Sequence, residues 1–341
     1  MLQKTNCNYP DRGIFISPQG QVAPCGAVIK DRLETFTSAE QIQTDEVFVR
    51  TKEYNEKDNI LGCDFCFHCS ELEGMGVASM RQRNTENMKV FLSIAFSNTC
   101  NLDCVMCGSE YSSKWYSLYK NNKEVNKFYG PDSPGSILPH SLSYEQVDEV
   151  LKLIPNIEEV IIKGGEPLVD PKVLYFLEKI VDIKPNIIIS MVSNLTVLNL
   201  KLLNKFRNLN LMVSIDGIGK VYEWIRGTDF GPVNENIMQF AKQGGKVKVQ
   251  PTLSAYNVEH MQELYDYYQD KNIRIQTTPI IDTKYFTNPN LIGYNRFTEA
   301  KAKYKFPFKM QWKKPEHRAV QMFERYTKIM NKHRGFDWCT I

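Results

Sequence analysis

Short apolar runs alternate with helix-like stretches along the middle of the chain, from about residue 88 to residue 280. This alternation predicts successive parallel β/α units, because each apolar run is followed by a stretch with helical spacing. The predicted strands are Val90–Phe96, Glu159–Lys163, Ile187–Ser193, Leu209–Ile215, Lys246–Leu253 and Arg274–Pro279. The predicted helices are Tyr144–Ile154, Pro171–Ile183, Leu198–Phe206, Val233–Lys242 and Val258–Asp270.

A second pattern lies near the N-terminus, where apolar residues alternate on either side of a Pro-Gln-Gly turn. The stretch from Gly13 to Cys25 therefore predicts a β-hairpin that holds Cys7 and Cys25 at the two ends of a strand pair. The later pair Cys63-x2-Cys66 can close a site of four thiolates. Such a set is compatible with a fully ligated iron–sulfur cluster or with a zinc ion.

Length and composition bound the class of protein. A chain of 341 residues that is 42% hydrophobic and 24% charged can bury a sizeable core and suggests about two domains. Its formal net charge of +3 is nearly neutral and does not indicate a class of binding partner. The sequence contains no apolar run near the roughly 18 residues of a membrane span and no signal-peptide core, so a cytoplasmic location is expected. Nine cysteines then indicate metal ligands or catalytic thiols before disulfides.

Three of these cysteines lie within eight residues, directly after the first strand of the alternating region: Cys100, Cys104 and Cys107. Their spacings are too short for a compact disulfide framework and suit three thiolates that converge on one cluster. A 4Fe–4S cluster normally takes four thiolates, so three leave one iron open, as in a catalytic site. A structural zinc ion or a group of free thiols is the alternative.

The motif Cys100-x3-Cys104-x2-Cys107 at the end of a first strand resembles the signature of the radical S-adenosylmethionine (radical SAM) superfamily. The resemblance implies an α/β fold, a partial (β/α)6 TIM-like barrel with its chemistry at the C-terminal ends of the strands. It also implies that the open iron chelates SAM. An external donor such as flavodoxin or ferredoxin then reduces the cluster, and SAM is cleaved to methionine and a 5′-deoxyadenosyl radical that abstracts a substrate hydrogen.

A Gly-Gly-Glu-Pro turn follows the second predicted strand of this region. Two glycines let the backbone approach a ligand closely, and carbonyl or carboxylate oxygens there can receive an ammonium group. The turn looks like the family motif that holds the amino group of SAM, which assigns Gly164, Gly165 and Glu166 to cofactor binding. An ordinary strand-to-helix turn is the alternative.

Polar residues also end the third and fourth predicted strands, and they suit the hydroxyls of a ribose. The family places ribose and carboxylate contacts at these positions, which correspond to Ser193, Asn194, Ser214 and Asp216. A helix N-cap is the alternative for Asp216.

The segment after the fourth strand, from Tyr222 to Asn236, resembles the same segment of family members that carry an auxiliary cluster. Its Arg226 matches the SAM carboxylate, because a planar guanidinium can bind both oxygens. A surface salt bridge is the alternative. Met106 stands where an aromatic residue is commoner beside the adenine, and a polarizable Met can pack on that face.

The N-terminal segment resembles the twitch domain, a half-length relative of the SPASM domain with one auxiliary 4Fe–4S cluster. The likeness rests on Cys7, Gly20-x4-Cys25 and Cys63-x2-Cys66, although the module usually follows the barrel and here precedes it. Cys69 is one thiol more than four ligands require and can replace one of the others. A zinc ribbon is the alternative.

The C-terminal segment is basic from Lys301 to Arg334 and interleaves Tyr304, Phe306, Phe308, Trp312 and Tyr326 with its charges. This pattern is compatible with nucleic-acid binding, but an amphipathic helix that caps the barrel and presents a solvated basic face is favoured. Cys339 is expected to be a free thiol, with ligation or shielding of the auxiliary cluster as the alternative.

These observations predict three segments: a twitch-like domain at 1–80, a barrel at 88–280 and a helical cap at 285–341. A polar insert from Tyr119 to His140 predicts a substrate lid or a solvated loop. The predicted function is oxidation of a small hydroxylated metabolite or a peptide side chain, because an auxiliary cluster can accept the electron of a substrate radical. Modification of a nucleotide or RNA, and a non-catalytic module with structural zinc, are the alternatives. No catalytic acid or base is assigned.

Overall fold

The computed structural model describes residues 7–28, 33–74, 79, 81, 88–130, 138–279, 287–305 and 312–340. Phe306, Phe308 and the glycine- and proline-rich part of the predicted insert at 131–137 lie outside these residues. The strands are β1 (Gly13–Ile16), β2 (Val22–Ala23), β3 (Phe91–Ala95), β4 (Glu159–Lys163), β5 (Ile188–Ser193), β6 (Asn208–Val213), β7 (Lys246–Val249), β8 (Thr252–Leu253), β9 (Arg274–Ile275) and β10 (Thr278–Pro279).

The α-helices fill most of the chain between the strands. They are α1 (Tyr9–Arg12), α2 (Ala39–Thr44), α3 (Glu46–Glu56), α4 (Phe67–Gly74), α5 (Ser113–Asn121), α6 (Lys123–Tyr129), α7 (Tyr144–Leu151), α8 (Pro171–Ile183), α9 (Leu200–Leu203), α10 (Gly219–Arg226), α11 (Phe230–Lys242), α12 (Met261–Gln269), α13 (Tyr294–Lys303) and α14 (His317–Arg334). The beginning of the predicted insert is therefore helical through Tyr129, where the sequence predicted a loop or a lid.

The chain divides into two compact units, and the first draws its residues from Met1–Asn98, His140–Met191 and Leu200–Leu209. Its central strands run parallel, with β3 paired to β4 and β4 paired to β5. Side chains such as Leu92, Ile94 and Ile162 are fully buried, as expected for strands covered on both faces. Helix α8 begins after Asp170, whose carboxylate accepts a hydrogen bond from the Lys172 backbone N–H at 2.9 Å.

The N-terminal hairpin is part of this unit's sheet. As predicted, β1 and β2 are antiparallel, with Phe15 opposite Ala23. In addition β1 pairs in parallel with β3, with Phe15 opposite Ser93, which the sequence did not indicate. The pairing with β3 extends the parallel sheet to the cysteine-rich segment.

The second unit draws its residues from Thr99–Pro139, Val192–Asn199 and Asn210–Ile341. It contains a parallel set in which β6 pairs with β7 and β7 with β9, and a separate parallel pair of β8 with β10. Its core is rich in aromatic side chains from α5, α10 and α14. Buried members of this core include Trp115, Trp224, Tyr256, Tyr326 and Met330.

Helices and mostly parallel strands alternate through the predicted region, so the mixed α/β class is confirmed and the element order fits a partial (β/α)6 TIM-like barrel. Glu159–Lys163 and Pro171–Ile183 have the predicted bounds. The fifth and sixth predicted strands are each split into two short strands. Among the described residues, no helix combines the length and apolarity needed to cross a membrane.

Candidate active site

The loop with Cys100, Cys104 and Cys107 belongs to the second unit, and its shape is held by the first turn of α5. The backbone N–H of Cys100 donates to Ser113 Oγ at 3.1 Å, and Trp115 Nε1 donates to the Cys104 carbonyl at 2.6 Å. The Cys107 N–H donates to the same carbonyl at 2.9 Å. The hydrogen bonds therefore fix the backbone at all three cysteines.

Cys104 lies beside a buried ion pair. Arg226 donates through Nη1 to Cys104 Sγ at 3.6 Å and through Nε to the Asp216 carboxylate. Burial raises the pKa of the Cys104 thiol, while the positive charge of Arg226 lowers it. Burial disfavours the charge of Arg226, but Asp216 and Cys104 raise the pKa of the guanidinium above its ordinary value, so the cation is retained.

The surroundings of this pair exclude a helix N-cap role for Asp216 and a surface salt bridge for Arg226. Asp216 is fully buried, and its second oxygen accepts a hydrogen bond from the Thr252 backbone N–H at 2.6 Å. The residue at the N-cap of α10 is Ile218, so Asp216 does not cap that helix. Arg226 is only 8% exposed, so its pairing is not a surface salt bridge. A buried ion pair is typical of a functional site or of a structural centre.

Asn194 lies beside the first cysteine of the loop. Its Nδ2 donates to Asn101 Oδ1 at 3.0 Å and lies 3.9 Å from Cys100 Sγ. Ser193 Oγ accepts from the Leu195 N–H at 2.9 Å, and Leu195 has a positive φ of 52°. A branched side chain at positive φ stores strain, which functional sites often hold in place with surrounding hydrogen bonds.

Ser214 and Met106 are the remaining residues of this unit that were predicted to contact SAM. The Ser214 backbone N–H donates to the Ser193 carbonyl at 2.9 Å, which links the two strand ends on which both residues were predicted. Met106 packs against the aromatic core that contains Trp115 and Trp224.

The Gly-Gly-Glu turn belongs to the first unit. Gly164 has a φ of 128°, and a Cβ atom there would lie 2.8 Å from the Ser97 carbonyl oxygen. The Gly165 N–H donates to that same oxygen at 3.1 Å. Glu166 is buried, and its Oε1 accepts from the Leu168 N–H at 3.0 Å, which caps a short 3-10 helix. The turn is therefore shaped by a close backbone approach that only glycine permits.

Replacing Gly164 by alanine is expected to lower the free energy of unfolding by about 1–3 kcal/mol, because the residue has a positive φ and its Cβ would meet the Ser97 carbonyl. Denaturant midpoints at unchanged slope measure this loss. Gly244→Ala is the matched control, since Gly244 has a φ of 83° but no atom within 4 Å of its Cβ position. Equal losses in the two variants would show that the close approach to Ser97 contributes nothing.

The five N-terminal cysteines all belong to the first unit. Asn55 holds Cys7 by two hydrogen bonds, from the Cys7 N–H to Oδ1 at 2.7 Å and from Nδ2 to the Cys7 carbonyl at 2.9 Å. The thiol of Cys66 is under the electrostatic influence of Cys63, Cys25 and Cys7. Burial is the largest cause of the raised pKa of Cys7 and of Cys25, and Cys69 contributes to both shifts.

The pKa values of these thiols differ from one another. Burial raises the pKa of Cys7 to about 11 and that of Cys25 to about 12. Cys63 and Cys66 hydrogen-bond each other, which lowers the pKa of Cys63 to about 7 and raises that of Cys66. A pair with one readily ionised thiol begins metal binding easily, and a bound cation then favours ionisation of the neighbouring thiols.

Across the described residues, no group of three or more His, Cys, Asp or Glu side chains is placed so that it could hold a metal ion. All nine cysteines lie in the described residues, and none forms a disulfide. Thiols are the donors that iron–sulfur clusters use.

Asp103, which lies inside the cysteine motif, was missed by the sequence analysis. Its carboxylate accepts from Arg334 Nη1 at 2.8 Å and from His333 Nε2 at 2.8 Å. Burial alone would raise the pKa of Asp103, but His333 and Arg334 hold it well below its usual range. The only sequence signal was a charged residue between two predicted ligands, and its partners lie 230 and 231 positions away.

Comparison with known proteins gives a family and several structural likenesses. The family model of the Radical SAM superfamily matches residues 94–268, slightly more than half of the chain. No protein of curated function matches the sequence. Native anSMEcpe with bound AdoMet is 19% identical, over 57% of this chain and 53% of its own, with a TM-score of 0.45. This chain thus aligns with about half the length of that protein.

Two further solved structures are also similar to this chain. SuiB from Streptococcus suis, bound to the precursor peptide SuiA, is 14% identical over 86% of this chain and 69% of its own, with a TM-score of 0.45. TYW1 with a lysine-pyruvate adduct is 16% identical over 55% and 62%, with a TM-score of 0.33. The family match over residues 94–268 contains the three cysteines, the Gly-Gly-Glu turn and the Asp216–Arg226 pair. The chain belongs to the radical SAM superfamily, whose members are enzymes that bind a 4Fe–4S cluster and SAM.

Proposed function

We propose that this protein is a radical SAM oxidoreductase with one SAM-binding cluster and one auxiliary cluster. The observation that carries the proposal is the contact of Arg226 with Cys104 Sγ inside the cysteine motif. Burial raises the pKa of the Cys104 thiol, and the Arg226 cation opposes this shift by stabilising the thiolate, which is the form that binds iron. We therefore assign the SAM-binding cluster to Cys100, Cys104 and Cys107.

The chain's own groups suit the parts of SAM. Gly164, Gly165 and Glu166 are proposed to receive the amino group, and Arg226 the carboxylate. Ser193, Asn194, Ser214 and Asp216 are proposed to form the ribose side, with Met106 packed on the adenine. When bound, the cluster supplies the electron that cleaves SAM to methionine and the 5′-deoxyadenosyl radical.

Preorganised polar groups are the main contribution of the protein to such a reaction. Arg226 is already oriented by Asp216, so binding a carboxylate would require little reorganisation of the guanidinium. Asn194 is oriented by Asn101 on one side and accepts from Thr196 on the other. A site in which these side chains are buried before cofactor binding also excludes water from a reactive radical.

The auxiliary cluster is proposed to be held by Cys7, Cys25, Cys63 and Cys66, in a twitch-like segment that precedes the barrel. The support is the hydrogen-bonded pair Cys63–Cys66 and a donor set made of thiols, which is the set that iron–sulfur clusters use. A second cluster gives a substrate radical an electron acceptor within the protein, which favours two-electron oxidation. The proposed substrates are a small hydroxylated metabolite or a peptide side chain, with an external flavodoxin or ferredoxin as electron donor.

Iron and sulfide content after anaerobic reconstitution tests both assignments. We expect about eight irons per chain, corresponding to two 4Fe–4S clusters, and formation of 5′-deoxyadenosine from SAM. The variant Cys63→Ala/Cys66→Ala is expected to retain about four irons and to cleave SAM still, because the three cysteines of the second unit are unchanged.

The control for this pair is Cys339→Ala, since Cys339 is exposed near the C-terminus. This variant is expected to keep the full iron content. About four irons together with zinc in the unmodified protein would leave SAM cleavage standing but remove the proposed electron acceptor, and the oxidative function would then fall. Absence of iron would remove the whole proposal.

A further inference from the structure

We propose that helix α14, in the C-terminal segment, holds the cysteine loop in the geometry that retains the SAM-binding cluster, with Arg334 and Tyr326 as positioning residues. The inference rests on the proposed function, because it assumes that the loop binds a cluster. It assigns a role at the cysteine loop to the basic and aromatic segment. For this segment the sequence favoured an amphipathic helix that caps the barrel and presents a solvated basic face, with nucleic-acid binding as the alternative.

The first contact of α14 with the loop is made at Asp103. Arg334 donates from Nη1 to the Asp103 carboxylate at 2.8 Å and from Nη2 to the Asp103 backbone carbonyl at 2.7 Å. Its Nε donates to the Trp224 carbonyl at 2.9 Å, at the end of α10. The guanidinium of Arg334 therefore joins the cysteine loop to α10. The side chains of Arg334 and Asp103 are only 6% and 4% exposed, so this connection is buried.

The second contact lies one residue beyond Cys104. The hydroxyl of Tyr326 donates to the Val105 carbonyl at 2.6 Å, and Tyr326 is fully buried. Tyr326 and Arg334 are eight residues apart on α14, so they lie on the same face of the helix, about 12 Å apart along its axis. The helix therefore contacts the loop on both sides of one predicted ligand.

Apolar packing adds to these polar contacts. Tyr326 and Met330 share one buried cluster with Val105 and Trp115, and the side chains of Met106 and Cys107 pack against it. The loop between β3 and α5 contains no helix or strand of its own from residue 96 to residue 112. Its geometry must therefore come from the elements packed against it, and α14 supplies contacts at Asp103, Val105 and the cluster around Cys107.

The helix also offers a matched control. Lys332 lies two positions before Arg334, but its Nζ pairs with Glu124 on α6 at 2.7 Å and is 73% exposed. An exposed pair of this kind contributes little to stability. Substitution of Lys332 removes the same charge from the same helix without touching the cysteine loop.

The test compares iron release from the anaerobically reconstituted holoenzyme to a ferrous chelator. Arg334→Gln and Tyr326→Phe are expected to release about four of eight irons about tenfold faster than the unmodified protein, because residues that orient metal ligands typically change metal affinity by 10–100-fold. The other four irons of these two variants are expected to leave at the rate seen in the unmodified protein. In Lys332→Gln all irons are expected to leave at that rate. Tyr326→Phe preserves the packing volume, so it remains informative if Arg334→Gln folds poorly.

Unchanged release from both variants would overturn the proposal, and so would equal acceleration of all eight irons, which indicates general destabilisation. A second readout needs no iron: the rate at which a maleimide labels Cys104 in the metal-free chain, followed by mass spectrometry. Cys104 is 6% exposed, so faster labelling in Arg334→Gln and Tyr326→Phe is expected, and equal labelling in all chains would contradict the inference. If the unmodified protein binds no iron, the proposed function fails while the labelling result still decides the role of α14.

Discussion

Simultaneous replacement of Cys100, Cys104 and Cys107 by alanine is expected to abolish formation of 5′-deoxyadenosine and to lower the iron content from about eight to about four per chain. The three thiolates are proposed as the only protein ligands of the SAM-binding cluster, so their removal leaves no anchor for it. A chain without this cluster has no group that can pass an electron to SAM, so no residual cleavage is expected. Iron, sulfide and 5′-deoxyadenosine are measured on the same anaerobic preparation.

The reciprocal variant Cys63→Ala/Cys66→Ala provides the control, because it removes the same kind of ligand from the first unit. It should lose the other four irons and retain SAM cleavage. A triple variant that keeps eight irons, or that still forms 5′-deoxyadenosine, would contradict the assignment of the cysteine loop. Cys104 is buried, so its replacement can lower the stability of the fold. Thermal unfolding of the triple variant therefore checks that the loss of SAM cleavage does not arise from loss of the fold.

The strand and helix pattern was the most predictable feature of this chain. Glu159–Lys163 and Pro171–Ile183 were predicted with their observed bounds because each has a strong local signal. The strand is built on three consecutive apolar residues, Val160 to Ile162, and the helix begins with Asp170 as its N-cap and proline at its first position. The split of Lys246–Leu253 into β7 and β8 was not predicted; Pro251, between them, cannot donate a ladder hydrogen bond.

Contacts between distant parts of the chain were not predictable in the same way. The charge of Arg334 was visible in the sequence, but its partner Asp103 lies 231 positions earlier, and no local pattern joins them. The same is true of the parallel pairing of β1 with β3, since a hairpin pattern specifies the partner strand within the hairpin and not the strand beyond it. Pairing between distant segments is determined by how the whole chain packs, and local sequence patterns do not specify it.

Replacing Arg226 by methionine is expected to lower the free energy of unfolding by about 3–5 kcal/mol, because it leaves the buried Asp216 carboxylate without its cation. Methionine preserves much of the side-chain volume, so the loss comes from the charge and its hydrogen bonds. The same variant should lose SAM cleavage, since Arg226 is proposed to bind the SAM carboxylate and contacts Cys104 Sγ at 3.6 Å. Denaturant midpoints at unchanged slope give the stability change.

The matched control lies on the same helix. Lys220 pairs with Glu223 at 2.6 Å, but the lysine side chain is 72% exposed, so Lys220→Met is expected to cost less than about 1 kcal/mol. Equal losses for Lys220→Met and Arg226→Met would contradict the buried-pair argument.

A double-mutant cycle separates the two roles proposed for Arg226. Adding Asp216→Asn to Arg226→Met removes the uncompensated carboxylate, so part of the lost stability should return, with an interaction energy within the range of about 0.5–3 kcal/mol seen for contacting residues. SAM cleavage should not return, because neither substituted side chain can bind a carboxylate with two charged N–H donors. Recovery of both stability and cleavage would show that Arg226 acts only by neutralising Asp216. Because Asp216 is itself assigned to the ribose side, Asp216→Asn alone is measured as well. Recovery of stability alone, with cleavage retained in Asp216→Asn, would support a direct role for the Arg226 guanidinium in holding SAM and the thiolate of Cys104.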